Sequence, residues 1–309
     1  MLTQINGLHH VTSLASGAQE NNAFFTRTLG LRRVKKTVNF DRPEVYHLYY
    51  GDAVGTPGTV MTYFPFPDAG PGRPGTGEVG TTSFAVPKGA LPYWEARLSG
   101  HGTAGMIRTT RLGEERLIFK GPDGDGFALV EAEDDRAPWV ADVPEDVAIR
   151  GFHSVDMRLD PKGAAATAEL LGFMGYDREA GEDNVTRFRV PGGNAAQVID
   201  ITEIDAAPAD QGAGSVHHVA FSVDTRDTQA EVRKALMDTG YQVTPVIDRD
   251  YFWAIYFRTP GGVLFEVATN EPGFDRDEDR AHLGEALKLP EQHAHLRDRL
   301  EKTLAPIAD

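Results

Sequence analysis

Two histidine pairs and one misplaced carboxylate carry the chemistry of this sequence. The pairs are His9 and His10 in "GLHHVTSL" and His217 and His218 in "SVHHVAFSVDT", each standing where an apolar β-strand should begin. Side chains alternate along a strand, so only one histidine of a pair can face a given site. His217 shares its face with Val219, Phe221 and Val223, an apolar row suited to packing. His218 goes with Ala220 and Ser222, small residues that leave space above them. By the same count His10 goes with Thr12, and His9 with Val11. The second histidine of each pair is therefore expected to face a cavity and the first to face packing. In "GGVLFEVAT" the apolar row is Val263, Phe265 and Val267, while Glu266 lies on the opposite face with Leu264 and Ala268. A carboxylate buried alone in such a strand is costly, and the usual remedies are a cationic partner or a metal. Arg249 and Arg258 are the candidate cations. The metal alternative uses two neutral imidazoles and one carboxylate with positions left open, the ligand set of non-haem Fe(II) oxygenases. His10, His218 and Glu266 can supply it. A lone strand histidine is more often a hydrogen-bonded core residue; the recurrence of the pair in phase is what favours a site.

The composition narrows the alternatives. The chain has 309 residues, enough for two domains with cores of their own. Lys and Arg number 31 against 46 Asp and Glu, a net charge of −15, and no stretch gathers basic residues. Nucleic acid and anionic membranes are therefore not expected as partners. No stretch approaches the roughly 20 apolar residues of a membrane helix, and no basic segment precedes an apolar run at the N-terminus. A soluble cytoplasmic protein is expected. With no cysteine, disulfides, thiolate catalysis and Cys-ligated zinc or iron–sulfur sites are excluded, so a metal must use His, Asp or Glu.

The elements that must position these residues repeat four times, as a strand, a helix ending near glycine, then strands closing on a Gly-containing turn and an apolar run. The first copy runs from "GLHHVTSL" through "AQENNAFFTRTLG" to "GTVMTYFPF", and the second from "VGTTSFAVP" to "GFALVEAE". The third runs from "RGFHSVDMRLD" to "AAQVIDITE", and the fourth from "SVHHVAFSVDT" through "RDTQAEVRKALMDTG" to "YFWAIYFRTPGGVLFEVAT". This places one pair of modules in residues 1–135 and another in 150–270, with the acidic "EDDRAPWVADVPEDV" as a linker. The fourth helix should be capped by Asp227, turn Val232, Leu236 and Met237 inward, and stop at Gly240. A charged C-terminal extension, 271–309, should end in an amphipathic helix carrying Leu296, Leu300 and Leu304.

The pieces "LHHVT", "VYHLYYGD", "GTPGTVMTYFP", "AVPKGAL", "RGFHS", "HHVAF", "RTPGGVLFEVAT" and "GFDRDEDRAHLGEALKLP" follow one another in order over nearly the whole chain. In that order they resemble the vicinal oxygen chelate superfamily, and within it the ring-cleaving dioxygenases that act on hydroquinones. The resemblance implies an α+β fold of four βαβββ modules paired into two half-barrel, glyoxalase-like units, with a C-terminal helical tail. It implies Fe(II) held by His10, His218 and Glu266, with Mn, Zn or Ni as substitutes in purified protein. The implied partners are a small aromatic substrate and O2, and a homo-oligomer is expected. Residues matching family pocket positions are Thr12, His217, Arg249 and Tyr256. Tyr256 stands across the "TPGG" hairpin from Glu266, Arg249 could steer a phenolate, and His217 counts away from the cavity.

Common catechol extradiol enzymes of the superfamily take their first histidine from the third module. Here that position is Ser154, and His153 falls in phase with His9 and His217. The triad should therefore join module one to module four. The second module offers Thr81 at the histidine position and Val130 at the glutamate position, with Glu131 out of phase, so modules two and three should form a metal-free half. His47 either lines the cavity or packs in an aromatic strand, and His282, His293 and His295 are expected on the surface of the tail. Two other readings stay open. One is a glyoxalase-type isomerase or lyase on Zn, Ni or Co, which would bring a fourth protein ligand; the other is a non-catalytic protein that binds an aromatic ligand.

Overall fold

The structure, a computed structural model, describes residues 1–308. Module one contributes strands β1 (Leu8–Ala15), β2 (Arg32–Val38), β3 (Tyr46–Gly51) and β4 (Val60–Pro65), with helix α1 (Ala18–Ala23) running on into a π-helix at Phe24–Thr28. Module two contributes β5 (Glu78–Val86), helix α2 (Leu91–Gly100), β6 (Ile107–Arg111), β7 (Glu114–Lys120) and β8 (Gly126–Glu131). Module three contributes β9 (Gly151–Leu159), helix α3 (Pro161–Phe173), β10 (Asp177–Glu182), β11 (Val185–Arg189) and β12 (Val198–Glu203). Module four contributes β13 (Val216–Val223), helix α4 (Arg226–Asp238), β14 (Ile247–Asp248), β15 (Phe252–Arg258) and β16 (Leu264–Pro272). Runs such as "VMTYFP" are β-branched and aromatic and are buried at nearly every position, as strands covered on both faces must be.

The strands form two eight-stranded sheets of the same design. One has the order β14-β15-β16-β13-β1-β4-β3-β2, the other β10-β11-β12-β9-β5-β8-β7-β6. Modules one and four thus share a sheet, as do modules two and three. Each sheet is centred on an antiparallel pair between modules, β1 with β13 and β5 with β9. On either side of that pair the first strand of each module lies parallel to its last.

The central pairs depart from strict alternation in a regular way. In β1 and β13, Leu8 pairs with Phe221 and His10 with Ala220, then Thr12 pairs with His218 and Ser13 with Val216. His9 and His217 are therefore the extra residues of two β-bulges. In β5 and β9 the extra residues are Gly80 and His153. A bulged residue is left out of the ladder and its side chain is re-aimed. Alternation alone assigned His9 and His217 to the packed rows of Val11 and Val219. The bulges move both rings beside their neighbours instead, with ring centres 5.1 Å apart for His9 and His10 and 5.0 Å apart for His217 and His218.

Helix α4 is capped by Thr225, whose Oγ1 accepts the Thr228 N–H, and Asp227 lies in the first turn rather than at the cap. Thr225 has the extended backbone that a cap requires, and the chain turns helical after it. Val232 and Leu236 are buried, but Met237 is 47% exposed because it sits one position past the inward stripe. Gly240, at φ 94°, follows the helix end as expected. In the tail, helix α5 (Arg297–Thr303) buries Leu300, and its C-cap Leu304, against Val38, with Leu296 alongside. Leu287 bridges to Lys36 on β2, covering an open sheet edge. His293 and Gln292 both donate to the Phe40 carbonyl, so His293 is half-buried and pins a loop instead of standing free on the surface. Among the described residues no helix is long and apolar enough to cross a membrane.

Asp125 gives a stability test independent of the metal site. It is 5% exposed and accepts the Tyr63 hydroxyl at 2.6 Å. Burial lifts its carboxyl to about 6, against the opposing hydrogen bond from Tyr63. The unfolded value is near 3.9, so the folded chain holds this proton more tightly. That contribution is fully present below about pH 4 and is lost as pH rises through 6. Asp125→Asn keeps an acceptor for Tyr63 without the charge. Urea unfolding should show it about 1–3 kcal/mol more stable than the parent at pH 8, with no such gain at pH 4.

Candidate metal centre

Strands β1, β13 and β16 lie side by side, with His10 opposite Ala220 and Ala220 beside Glu266. This brings His10, His218 and Glu266 together, their ligand atoms all within 4.8 Å of one another. His218 Nε2 is 2.9 Å from Glu266 Oε2, His10 Nε2 is 3.5 Å from the same oxygen, and the two Nε2 atoms are 3.3 Å apart. All three residues are buried, Glu266 completely. Neither Glu266 oxygen has an aligned hydrogen bond, despite the short His218 distance. The two candidate arginines are engaged elsewhere: Arg258 Nη1 donates to the Gly262 carbonyl, and Arg249 Nε donates to Tyr256 Oη. Burial acts to raise the Glu266 carboxyl, but the neighbouring imidazoles of His10 and His218 outweigh it and hold it well below the usual range. An ionised, fully buried carboxylate with unsatisfied oxygens, facing two imidazole nitrogens, fits a divalent cation.

The bulged histidines set which ring nitrogens face that point. His9 Nε2 lies 3.1 Å from the Thr269 carbonyl, which can only accept, so Nε2 carries the His9 proton. His9 Nδ1 is then an acceptor, and it receives the Nδ1–H of His10 at 2.9 Å. That leaves His10 Nε2, 3.5 Å from Glu266 Oε2, as the ring nitrogen that would serve a metal. Burial, with the adjacent His10 ring, pushes His9 down to about 3, so it is neutral near pH 7. The second pair repeats the contact, His217 Nδ1 to His218 Nδ1, at 2.7 Å. Hydrogen bonds of this kind from a neighbouring side chain orient metal-binding imidazoles.

Register shows what the other modules place at the glutamate position. Glu266 lies beside the residue two past His218; the equivalents are Thr62 beside Thr12, Ala128 beside Ser83, and Asp200 beside Asp156. Module two therefore carries Ala128 there, not Val130, because pairing with β5 sets β8 two residues further along than counting from the sequence suggests. Thr62 leaves module one without a second carboxylate, so the fourth ligand expected of a glyoxalase-type centre is missing at that position. In the other sheet the Asp200 carboxylate is taken by Arg187, with Nε–Oδ1 2.7 Å and Nη2–Oδ2 2.9 Å. A guanidinium there occupies the carboxylate that a metal would need.

Comparison with known proteins follows the same lines. The description "Glyoxalase/Bleomycin resistance protein/Dioxygenase superfamily" matches residues 154–267. A Bacillus subtilis protein assigned as ring-cleaving dioxygenase MhqO is 41% identical over 99% of this chain and 98% of its own. The chain belongs to the ring-cleaving dioxygenases of this superfamily. A chlorohydroquinone/hydroquinone 1,2-dioxygenase of Sphingobium indicum is 37% identical over 97% of this chain and 96% of its own. A crystal structure assigned as a Bacillus subtilis dioxygenase superposes with TM-score 0.95 at 40% identity, covering 99% of this chain and 98% of that one. Maize glyoxalase I, at 13% identity and TM-score 0.63 over 85% of this chain and 92% of its own, shares the fold.

In this ring-cleaving dioxygenase the three candidate ligands open onto a cavity of about 230 Å³. Phe40, Phe64, Phe66 and Phe252 supply apolar walls, and Arg249, Tyr256, His217 and His47 supply polar ones. Tyr256 pairs with Glu266 across the hairpin, and its ring is 5.7 Å from that of His218. Burial, reinforced by Glu266, pushes the Tyr256 phenol well up, so it carries its proton. The Arg249 guanidinium lies over the rings of both Phe40 and Tyr256 and is 3.9 Å from Asp41. His217 reaches the cavity, its ring edge-on to Phe64, and burial with the adjacent His218 lowers it to about 4. Thr12 is fully buried and shares a 3.3 Å hydroxyl contact with Thr62. The sequence singled out these residues, but missed His9 as an orienting group, Tyr49, and the Asn39–Arg42 rim that the tail holds over the cavity. Only pairing partners far along the chain reveal them.

Proposed function

We propose that the protein is an Fe(II)-dependent dioxygenase that opens a hydroquinone-type ring beside a hydroxyl group. The convergence of His10, His218 and Glu266 at the base of a small aromatic-walled cavity carries the reading. Two imidazoles and one carboxylate suit Fe(II) chemistry, and the relative from Sphingobium indicum, named for hydroquinone substrates, supports the ring class. When bound, the metal would hold a ring hydroxyl and O2 side by side and conduct electrons between them. The protein's own groups do the rest. His218, using Nε2 as a ligand, donates its Nδ1–H to His217, which leaves His217 Nε2–H as a donor toward the substrate. Arg249 attracts the phenolate and holds Tyr256 Oη, and Tyr256 holds or moves a proton at the reacting oxygen. The phenylalanine walls orient the ring and exclude water.

Protein reconstituted anaerobically with Fe(II) should consume O2 when given hydroquinone or substituted hydroquinones. No uptake across the whole panel, or turnover of a hemithioacetal without O2, would sink this reading. Metal binding to the folded state alone should also stabilise it, by about 2.7 kcal/mol when free metal is a hundred times its Kd. Thermal unfolding before and after chelation checks that, and equal midpoints would count against the site.

A further inference from the structure

Tyr49, His47 and Thr62 form a buried hydrogen-bonded chain on the cavity wall that none of the roles above uses. Tyr49 Oη is 2.8 Å from His47 Nδ1, His47 Nε2 is 2.6 Å from Thr62 Oγ1, and Thr62 Oγ1 is 3.3 Å from Thr12 Oγ1. Both His47 and Tyr49 line the cavity. The His47 ring is wedged between Tyr49 and Phe64, with centres 4.0 and 4.3 Å away. Both ring nitrogens of His47 are engaged, so it has no bond left for a ligand. A phenolic oxygen can make a further hydrogen bond beyond the one to His47. The position of Tyr49 is also informative. It lies opposite Thr62 as Tyr256 lies opposite Glu266. Counted outward from the central β1 and β13, each tyrosine is two strands away on opposite sides, so the two face each other across the cup.

We propose that Tyr49, oriented through His47 by Thr62, holds the substrate hydroxyl that does not reach the metal centre, and so selects dihydroxy rings over monohydroxy ones. This rests on the dioxygenase reading. Burial pushes the Tyr49 phenol well up and the His47 imidazole well down, so the chain is neutral and recognises the hydroxyl by hydrogen bonding rather than by charge. A neutral imidazole has one donor and one acceptor. Whichever way the chain is polarised, Tyr49 either accepts from the substrate hydroxyl or donates to it.

The test is anaerobic titration of the Fe(II)-loaded protein with hydroquinone and with phenol, which lacks the second hydroxyl. The parent protein should bind hydroquinone more tightly. Tyr49→Phe should weaken hydroquinone about tenfold and leave phenol unchanged, the effect of one hydrogen bond. Thr62→Ser should keep the parent's discrimination and Thr62→Val should lose part of it, and this pair decides the matter if Tyr49→Phe fails to fold. Undiminished discrimination in a folded, metal-loaded Tyr49→Phe, or in Thr62→Val, overturns the proposal alone. A parent protein that neither binds hydroquinone nor consumes O2 with it overturns the dioxygenase reading instead.

Discussion

Replacing His218 by alanine should leave a folded protein that takes up no metal and consumes no O2, whereas His217→Ala should still load with metal. The two residues are adjacent, both imidazoles, and in ring contact, so the contrast isolates geometry. His218 Nε2 is 2.9 Å from Glu266 and 3.3 Å from the His10 nitrogen; His217 reaches that point only through the Nδ1 contact with His218. Removing one of three ligands leaves a two-ligand site with a buried carboxylate. Removing an orienting partner typically costs about 10–100-fold in metal affinity or activity. Metal analysis after reconstitution at saturating Fe(II), with circular dichroism to check folding, separates these cases. Equal metal content in the two variants would show that the wrong histidine has been taken as the ligand.

Tyr256→Phe should lower kcat for ring cleavage by about 100-fold or more while metal content stays at the parent level, the scale seen when a positioned proton donor is removed. The ring is retained, so packing against His218 survives. The hydroxyl lost is the one that receives the Arg249 Nε–H, on the residue paired with Glu266 across the hairpin. Arg249 is then left with its cation held over two aromatic faces and a distant Asp41. Arg249→Lys should not substitute for the arginine, because an ammonium lacks the planar, delocalised cation suited to aromatic faces. Steady-state O2 uptake measured alongside metal analysis checks both variants. A Tyr256→Phe enzyme with unchanged kcat would reduce Tyr256 to a packing residue.

The clustering of His10, His218 and Glu266 was readable in advance because its members recur. Two histidine pairs at equivalent module positions, and one glutamate out of place in an apolar strand, are anomalies that local sequence exposes. The α+β modules were legible for the same reason, since strand and helix periodicities depend on neighbours a few residues away. Asp227, Met237 and Val130 were misjudged by one or two positions. Element ends and registers depend on which backbone groups find partners, and those partners lie on other strands. His293 was taken for a surface residue because its partner, the Phe40 carbonyl, is 253 residues away along the chain.

The chain alone determined the chemistry available: no thiols, a net negative charge, and His10, His218 and Glu266 as candidate metal ligands. Only the tertiary structure decided how the doublets work. Alternation is a property of a regular ladder, and it sends His9 and His217 to the packed face. A bulge exists only between two paired strands, and the β1–β13 pair joins residues about 200 apart in sequence. That pairing turns each first histidine beside the second, so that in each doublet one ring can bind the metal while the other fixes its proton.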